Sequence, residues 1–231
     1  MSTPSTTGNT PRHDPPGASL TERRKAETRM EIARAAAGLF VRQGLRATRA
    51  EDIAHAAGIA PRTFYRYFAT KEEAVAPLYA AGAQRWAEAV RSAPAALSVP
   101  EALEHAVHRT LTPGAGVSAA SWEWVRTLIH LADTSPALRK VWAEVCRSSE
   151  DLLVTIMAER IARDRAPDTA TDNVARTPHL RFAAAVAGAA VRVAVESWAA
   201  GTASASDPEG PAGLALRNLA DLRGFAWGER P

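Results

Sequence analysis

The apolar positions of this chain recur at helical spacing almost throughout. Ile32, Ala36, Leu39 and Phe40 fall at i, i+4, i+7 and i+8 and make one apolar stripe. The pattern predicts a first helix from about Ser19 to Gly44. Ser19 and Glu22 have capping-box spacing at its start, and Gly44 supplies a left-handed cap at its end. Thr48 with Glu51 and Thr70 with Glu73 repeat the capping spacing. They predict a second helix that ends at Gly58 and a fourth that runs from Thr70 to about Arg91. Between them a short third helix starts at Pro61, where a missing N–H costs nothing. Pro77 then lies inside the fourth helix and is expected to kink it. Further helices are expected near 99–111, 119–133, 136–164, 176–200 and 209–226. The breaks between them are Pro/Gly-bearing segments: 112–116, 135–136, 166–173 and 201–208. Few stretches show β-branched alternation, and no Asn-Gly or Asp-Gly hairpin signal appears. The expected fold is all-α, with about nine helices: an N-terminal three-helix unit and a larger C-terminal helical bundle.

Residues 1–18 are rich in Ser, Thr, Pro and Gly and read as a disordered tail. The head is expected over 19–70, continuing into the fourth helix at 71–91, with a second unit over 92–231. No 20–50-residue repeat is visible.

Residues 48–68 carry the functional signal. A helix-turn-helix needs a small residue where two short helices touch, a glycine at the turn, and apolar side chains facing inward. Ala54 is the small residue and Gly58 sits four positions later. Ile53, Ala57, Ile59, Phe64 and Tyr67 supply the inward faces. The third helix would enter the major groove with its N-terminal residues forward, which places Pro61, Arg62, Thr63, Tyr65 and Arg66 at or near DNA. Arg62 and Arg66 are four apart on one face. A bidentate arginine on guanine is the commonest specific contact. Thr63 suits a thymine methyl or a phosphate, and Tyr65 suits a phosphate. Tyr67 reads first as a core aromatic, with a DNA contact as the alternative. The start of the second helix, at Thr48 or Arg49, and Lys71 are the remaining phosphate-side candidates.

Charge distribution sharpens this picture. Over residues 20–71 there are eleven basic and five acidic residues, although the whole chain carries a net charge of only +3. A basic head on a near-neutral body is the footprint of a nucleic-acid reader. The single cysteine, Cys146, excludes an internal disulfide and fits a reducing cytoplasm. The most apolar run, 182–191, stops at Arg192 and is too short to span a bilayer.

In the C-terminal part, Trp122, Val125, Arg126, Ile129, Trp142, Val145, Cys146 and Phe182 are candidates to line a pocket for a small effector. Ordinary core packing is the competing reading for each. Arg126 shares the apolar face of Trp122 and Ile129 and would need an anionic partner: Glu144, Glu150 or an acidic ligand. The Ala-rich eighth helix (176–200), with Leu214, Leu216, Leu219 and Leu222 of the ninth (209–226), is expected to build a two-fold four-helix interface. Packing within one chain is the alternative. His105 and His108 with Glu101 and Glu104 have metal-compatible spacing, but no cysteine or further histidine joins them, so no metal or cofactor is expected. No nucleophile elbow, phosphate loop or zinc-hydrolase motif is present.

The segment GLRATRAEDIAHAAGIAPRTFYRYFATKEEAV resembles the DNA-binding domain of the TetR/AcrR regulators. The resemblance covers residues 20–80. It rests on Asp52-Ile53-Ala54, Ala57-Gly58-Ile59, Thr63-Phe64-Tyr65-x-Tyr67-Phe68 and Lys71-Glu72. It implies a homodimer, a C-terminal ligand domain, and repression of an operator relieved by a small molecule. Arg62, Thr63, Tyr65, Arg66 and Lys71 match positions that touch operator DNA in that family. The chain departs from the pattern at Arg49 and Ala50 and at Ala60, where a capping Ser or Thr is usual. The Ser-Pro-Ala-Leu-Arg run at 135–139 and the Ala-rich eighth helix look like an actinobacterial branch, some of whose members sense acyl-coenzyme A thioesters. A constitutive DNA binder without effector, and an enzyme with a borrowed DNA-binding head, are the competing functions. The constitutive binder predicts no apolar cavity in residues 95–230.

Overall fold

The computed structural model describes residues 20–114, 119–163 and 178–227. The N-terminal tail, the cap at Ser19 and the break at 166–173 lie outside these residues. Among the described residues there are nine α-helices and no β-strand. They are α1 Leu20–Gln43, α2 Ala50–Ala56, α3 Pro61–Tyr67, α4 Ala76–Arg91, α5 Val99–Leu111, α6 Ala119–Thr134, α7 Pro136–Arg163, α8 Pro178–Ala200 and α9 Pro211–Asp221. Prolines open α3, α7, α8 and α9, where a fixed φ and a missing N–H both fit the first turn.

The buried face of α1 is Ile32, Ala33, Ala36, Ala37 and Phe40. Gly44 closes the helix at φ 84°, donating its N–H to the Phe40 carbonyl at 3.0 Å. Gly58 turns α2 into α3 at φ 68°. A residue with a side chain meets a steric penalty in that left-handed region.

Two predicted starts differ from the observed ones. The second helix begins one residue later than Thr48 and Glu51 suggest, because Thr48 is drawn inward. Its hydroxyl donates to the Gly44 carbonyl at 2.8 Å and satisfies the end of α1. Asp52 takes over the cap, accepting from the Arg49 N–H at 2.9 Å. The Thr70/Glu73 cap does form: Glu73 N–H donates to the Thr70 hydroxyl at 3.2 Å, and the Glu73 carboxylate accepts from Ala69 N–H at 3.0 Å. It opens a single 3-10 turn, Glu73–Val75, and α4 starts only at Ala76. Pro77 therefore lies in the first turn of α4 and kinks nothing. The ninth helix ends at Asp221, short of residue 226.

Among the described residues, two hydrophobic cores hold the molecule. One joins the head to the bundle, with Ile32, Phe40, Ile53, Phe64 and Phe68 on one side and Trp122, Ile129, Leu138 and Trp198 on the other. The second lies within the bundle and joins α4, α5, α7, α8 and α9 around Trp86, Leu103, Ile156, Met157 and Leu180. Arg160 is 5% exposed and clamps the α4–α5 link. Its guanidinium donates to the carbonyls of Ala93, Pro94 and Leu97 at 3.0, 2.9 and 2.8 Å.

Helix α8 has the length and composition to cross a membrane. Here it is a packed helix that contacts α6, α7 and α9. Ala183, Ala184, Ala187, Ala190 and Ala194 are all buried within this chain, so that face of the small-residue stripe packs internally. Asn218 ties α9 to it by donating to the Ala190 carbonyl at 2.8 Å. Phe182 and Val193 remain exposed on its outer side.

Candidate nucleic-acid interface and effector cavity

Helix α3 is anchored by Phe64 and Phe68, which are 0% and 3% exposed. That burial turns Pro61, Arg62, Tyr65 and Arg66 to the surface. Thr63 and Tyr67 are half-buried. Tyr65 is 52% exposed, stands edge-on to Phe64, and donates its hydroxyl to Glu51 at 3.3 Å. The Arg66 guanidinium lies 5.4 Å from the Tyr67 ring centre. Ala60 caps α3 with no side-chain hydrogen bond.

The candidates around α3 divide by what already holds them. Arg49 is exposed and forms a loose pair with Glu51 at 3.6 Å. Thr48 is 0% exposed, and its hydroxyl also accepts from the Gln43 amide at 3.2 Å. Of the two, Arg49 is the one open to a phosphate. Lys71 donates to the carbonyls of Leu45 and Thr48, both at 2.7 Å. Two of its three ammonium protons therefore fasten the α1–α2 turn, a task the sequence pattern did not suggest. Arg29 acts in the same way, with its guanidinium 4.7 Å from the Phe68 ring centre and donating to the Tyr67 carbonyl at 3.2 Å. Gln43 and Arg29 are contributors that spacing alone did not reveal, and Glu51, read there only as a cap, pairs with Arg49 and Tyr65.

A cavity of about 770 Å³ lies between the two cores. Of the sequence candidates, Trp122, Val125, Ile129, Trp142 and Cys146 line it. Arg126, Val145 and Phe182 do not. The Arg126 guanidinium stacks over Trp198 at 4.5 Å and donates to the Ala203 carbonyl, so its partner is a ring face and a carbonyl and neither Glu144 nor Glu150. Val145 packs beside the head-side core. Phe182 is 58% exposed and packs on Phe225 at 5.6 Å, six positions before Gly188, where α8 first meets the cavity. Met30 and Arg34 of α1, Tyr79 and Trp86 of α4, and Arg192 of α8 are lining residues the sequence reading missed. Tyr79 and Trp86 are seven apart on one face of α4, and that spacing could have flagged them.

The cavity wall is mostly apolar, with Arg34, Arg85, Glu150 and Arg192 as its charged members. Burial pushes the Tyr79 hydroxyl up, and that hydroxyl donates to the Leu128 carbonyl at 2.8 Å. Burial pushes the Cys146 thiol up to about 12, so it stays protonated and poorly nucleophilic. Burial also raises the Glu150 carboxyl, against the opposing pull of Arg192. Trp142 donates to Glu196 at 2.7 Å, and Glu196 pairs with Arg192 at 3.1 Å. No cluster of metal-ligating side chains occurs among the described residues.

The cavity also borders the head. Arg34 and Trp124 line both this cavity and a second groove bounded by Gly38, Arg42, Ala56 and Ala57. At Gly38 the Trp124 ring of α6 lies against α1, where a Cβ would meet it at the ordinary contact distance of 3.4 Å.

Comparison with known proteins follows the same lines. The family model described as bacterial regulatory proteins, tetR family, matches residues 32–76. The chain is 32% identical over 204 residues to the HTH-type transcriptional regulator TcmR of Streptomyces glaucescens, covering 85% of this chain and 81% of that one. Its fold matches Thermus thermophilus FadR, a TetR-family repressor solved with lauroyl-CoA. That match has a TM-score of 0.51 at 26% identity and covers 88% of this chain and 97% of that one. The fold of Salmonella enterica GusR is also similar, with a TM-score of 0.53 at 18% identity over 86% of this chain and 95% of that one.

Proposed function

Because this chain belongs to the TetR family of bacterial regulatory proteins, and is therefore a DNA-binding regulator and not an enzyme, we propose that it is a homodimeric cytoplasmic repressor released from its operator by a small, largely apolar effector. One observation carries this reading. Arg62, Tyr65 and Arg66 stand exposed on a helix whose opposite face, Phe64 and Phe68, is locked in the core. Arg62 and Arg66 read base edges, and Thr63 contacts a methyl or a phosphate. Pro61, Tyr65, Tyr67, Arg49 and the remaining proton of Lys71 sit on the phosphate side.

The head spans residues 19–70 and continues into α4, and the bundle binds effector and partner. Copies associate through the outer faces of α8 and α9, where Phe182 and Val193 are exposed. The effector occupies the cavity between the cores. Thermus FadR, with its bound lauroyl-CoA, supports ligand responsiveness in a relative of the same fold, and an acyl-type molecule is one member of the apolar class. A cavity of about 770 Å³ counts against the constitutive binder, which predicts none.

The release mechanism follows from the lining. The cavity touches α1, α4 and α6, and α4 and α6 both pack on α1 of the head. An effector acts only through its different affinity for two arrangements. A molecule that fits when α4 and α6 have shifted on α1 would favour a dimer whose recognition helices miss successive major grooves, about 34 Å apart. The test is a gel shift of the purified protein on the DNA upstream of its own gene. Arg66→Ala is expected to lose selectivity with circular dichroism unchanged. Equal affinity and selectivity in that variant would refute base reading by α3.

A further inference from the structure

The basic residues of the head are not exhausted by α3 and its neighbours. The first two turns of α1 carry three more, Arg23, Arg24 and Lys25. Every residue from Leu20 to Glu27 is exposed, so these turns stand clear of the core that holds the rest of the helix. None of the three cations pairs with a carboxylate among the described residues. Their positions on the helix separate them. Thr21, Arg24, Lys25 and Thr28 fall at i, i+3, i+4 and i+7 and share one face. At 3.6 residues per turn, Glu22 and Glu27 fall to either side of that face, and Arg23 falls on the far side of the helix. The face therefore carries two cations and two threonines and no acid.

This face lies beside the recognition helix. Arg29, four residues after Lys25, holds α1 against the end of α3 through the Tyr67 carbonyl at 3.2 Å and the Phe68 ring at 4.7 Å. Lys25 continues that row by one turn, about 5.4 Å, past the end of α3. Lys71 fastens the opposite end of α1, at Leu45 and Thr48. Along the helix axis Gly44 is about 28 Å from Lys25, whereas the major groove is about 12 Å wide. We propose that Arg24 and Lys25 bind the phosphate strand on the side of the groove away from Lys71 and Arg49, so that α1 braces α3 from both rims. It rests on α3 as the recognition helix and adds a contact outside the helix-turn-helix. A polyanion is the occupant that charge complementarity and continuity with the α3 surface select, and phosphate contacts carry affinity without sequence preference.

The test is fluorescence anisotropy of the full chain on the DNA upstream of its own gene and on an unrelated duplex of equal length, between about 50 and 200 mM salt. Arg24→Gln combined with Lys25→Gln removes two charges and keeps good helix formers. It should weaken both duplexes alike, about tenfold or more at the lower salt, and make the salt slope shallower by about two for each head bound. Arg23→Gln removes a charge from the far side of the same turns and should leave the slope unaltered. An unchanged slope in the double variant overturns the inference. So does an equal effect from Arg23→Gln, which would make net charge the cause, or an altered preference between the two duplexes, which would make the contact one with bases. Should the double variant lose helical circular dichroism, Arg24→Gln and Lys25→Gln singly decide, each expected to lower the slope by about one. Unaltered protein that binds neither duplex at low salt overturns the proposed function together with this contact. Binding by the unaltered protein with no change in the variants overturns this contact alone.

Discussion

The head and the bundle differ in what their packing leaves open. In residues 20–75, buried or half-buried polar side chains are committed to the backbone: Thr48 to Gly44, Lys71 to Leu45 and Thr48, Arg29 to Tyr67. The arginines at 62 and 66 are left outside. In the bundle, buried polar groups are also bonded to the backbone, as Arg160 is to Ala93, Pro94 and Leu97, but the helices leave a cavity of about 770 Å³ where they meet α1. A recognition surface for a rigid polymer gains from a fixed frame, because every freedom left in it must be lost on binding. A sensor needs an incomplete interior, because the missing packing and hydrogen bonds are what a ligand supplies.

The sharpest way to break this comparison is to loosen the frame. Phe64 is fully buried in the head-side core. Phe64→Ala should cost about 3–5 kcal/mol, read by chemical denaturation, and should remove DNA binding with it. A small loss would mean that the head is not the rigid member of the pair. Lys71→Ala comes next, at about 2–3 kcal/mol, because two charge-assisted hydrogen bonds to carbonyls are lost. The same variant, if Lys71 spends its third proton on phosphate, flattens the salt dependence of DNA binding. Unchanged stability with a flatter slope would make it a DNA contact and no part of the frame.

Arg66→Ala should leave stability intact and cost about 1–3 kcal/mol of discrimination between operator and non-operator DNA, measured by competitive gel shift. Loss of stability instead would move Arg66 from the surface into the frame. The smallest effect belongs to the bundle. The Glu150 carboxyl is raised by burial, and Arg192 opposes the rise. The folded protein therefore holds this proton to higher pH than the unfolded chain does. Its contribution to stability is fully present below the ordinary glutamate pKa and is lost as pH rises through the folded value. Asp151 also raises the group and Arg147 lowers it, so both stay in place in the comparison. Glu150→Gln should remove the decline in thermal midpoint across the mildly acidic range. An identical decline in the variant would assign it to another group.

Much of the head could be read from local chemistry. Gly44 and Gly58 mark turns that need positive φ, and both adopt it. Ala54 and Phe64 are buried as the helix-turn-helix pattern requires. The errors there came from competition between neighbours. Thr48 can cap α2 or close α1, and only the folded turn shows that the Gly44 carbonyl wins. Pro77 reads as a kink until a 3-10 turn places it at a helix start.

The bundle was legible as helices and opaque as a site. Periodicity tells which face of a helix is apolar, and it set Arg126 beside Trp122 and Ile129. It does not tell which apolar face meets another and which faces a void. The Trp198 ring and the Ala203 carbonyl that engage Arg126 lie more than seventy residues along the chain. The cavity draws its walls from six helices, so no local window contains it. Local rules therefore determined the helices, the turns and the arginine face of α3, because each depends on residues a few positions apart. Tertiary packing decided where the interior stays unfilled, because that depends on how distant helices close on one another.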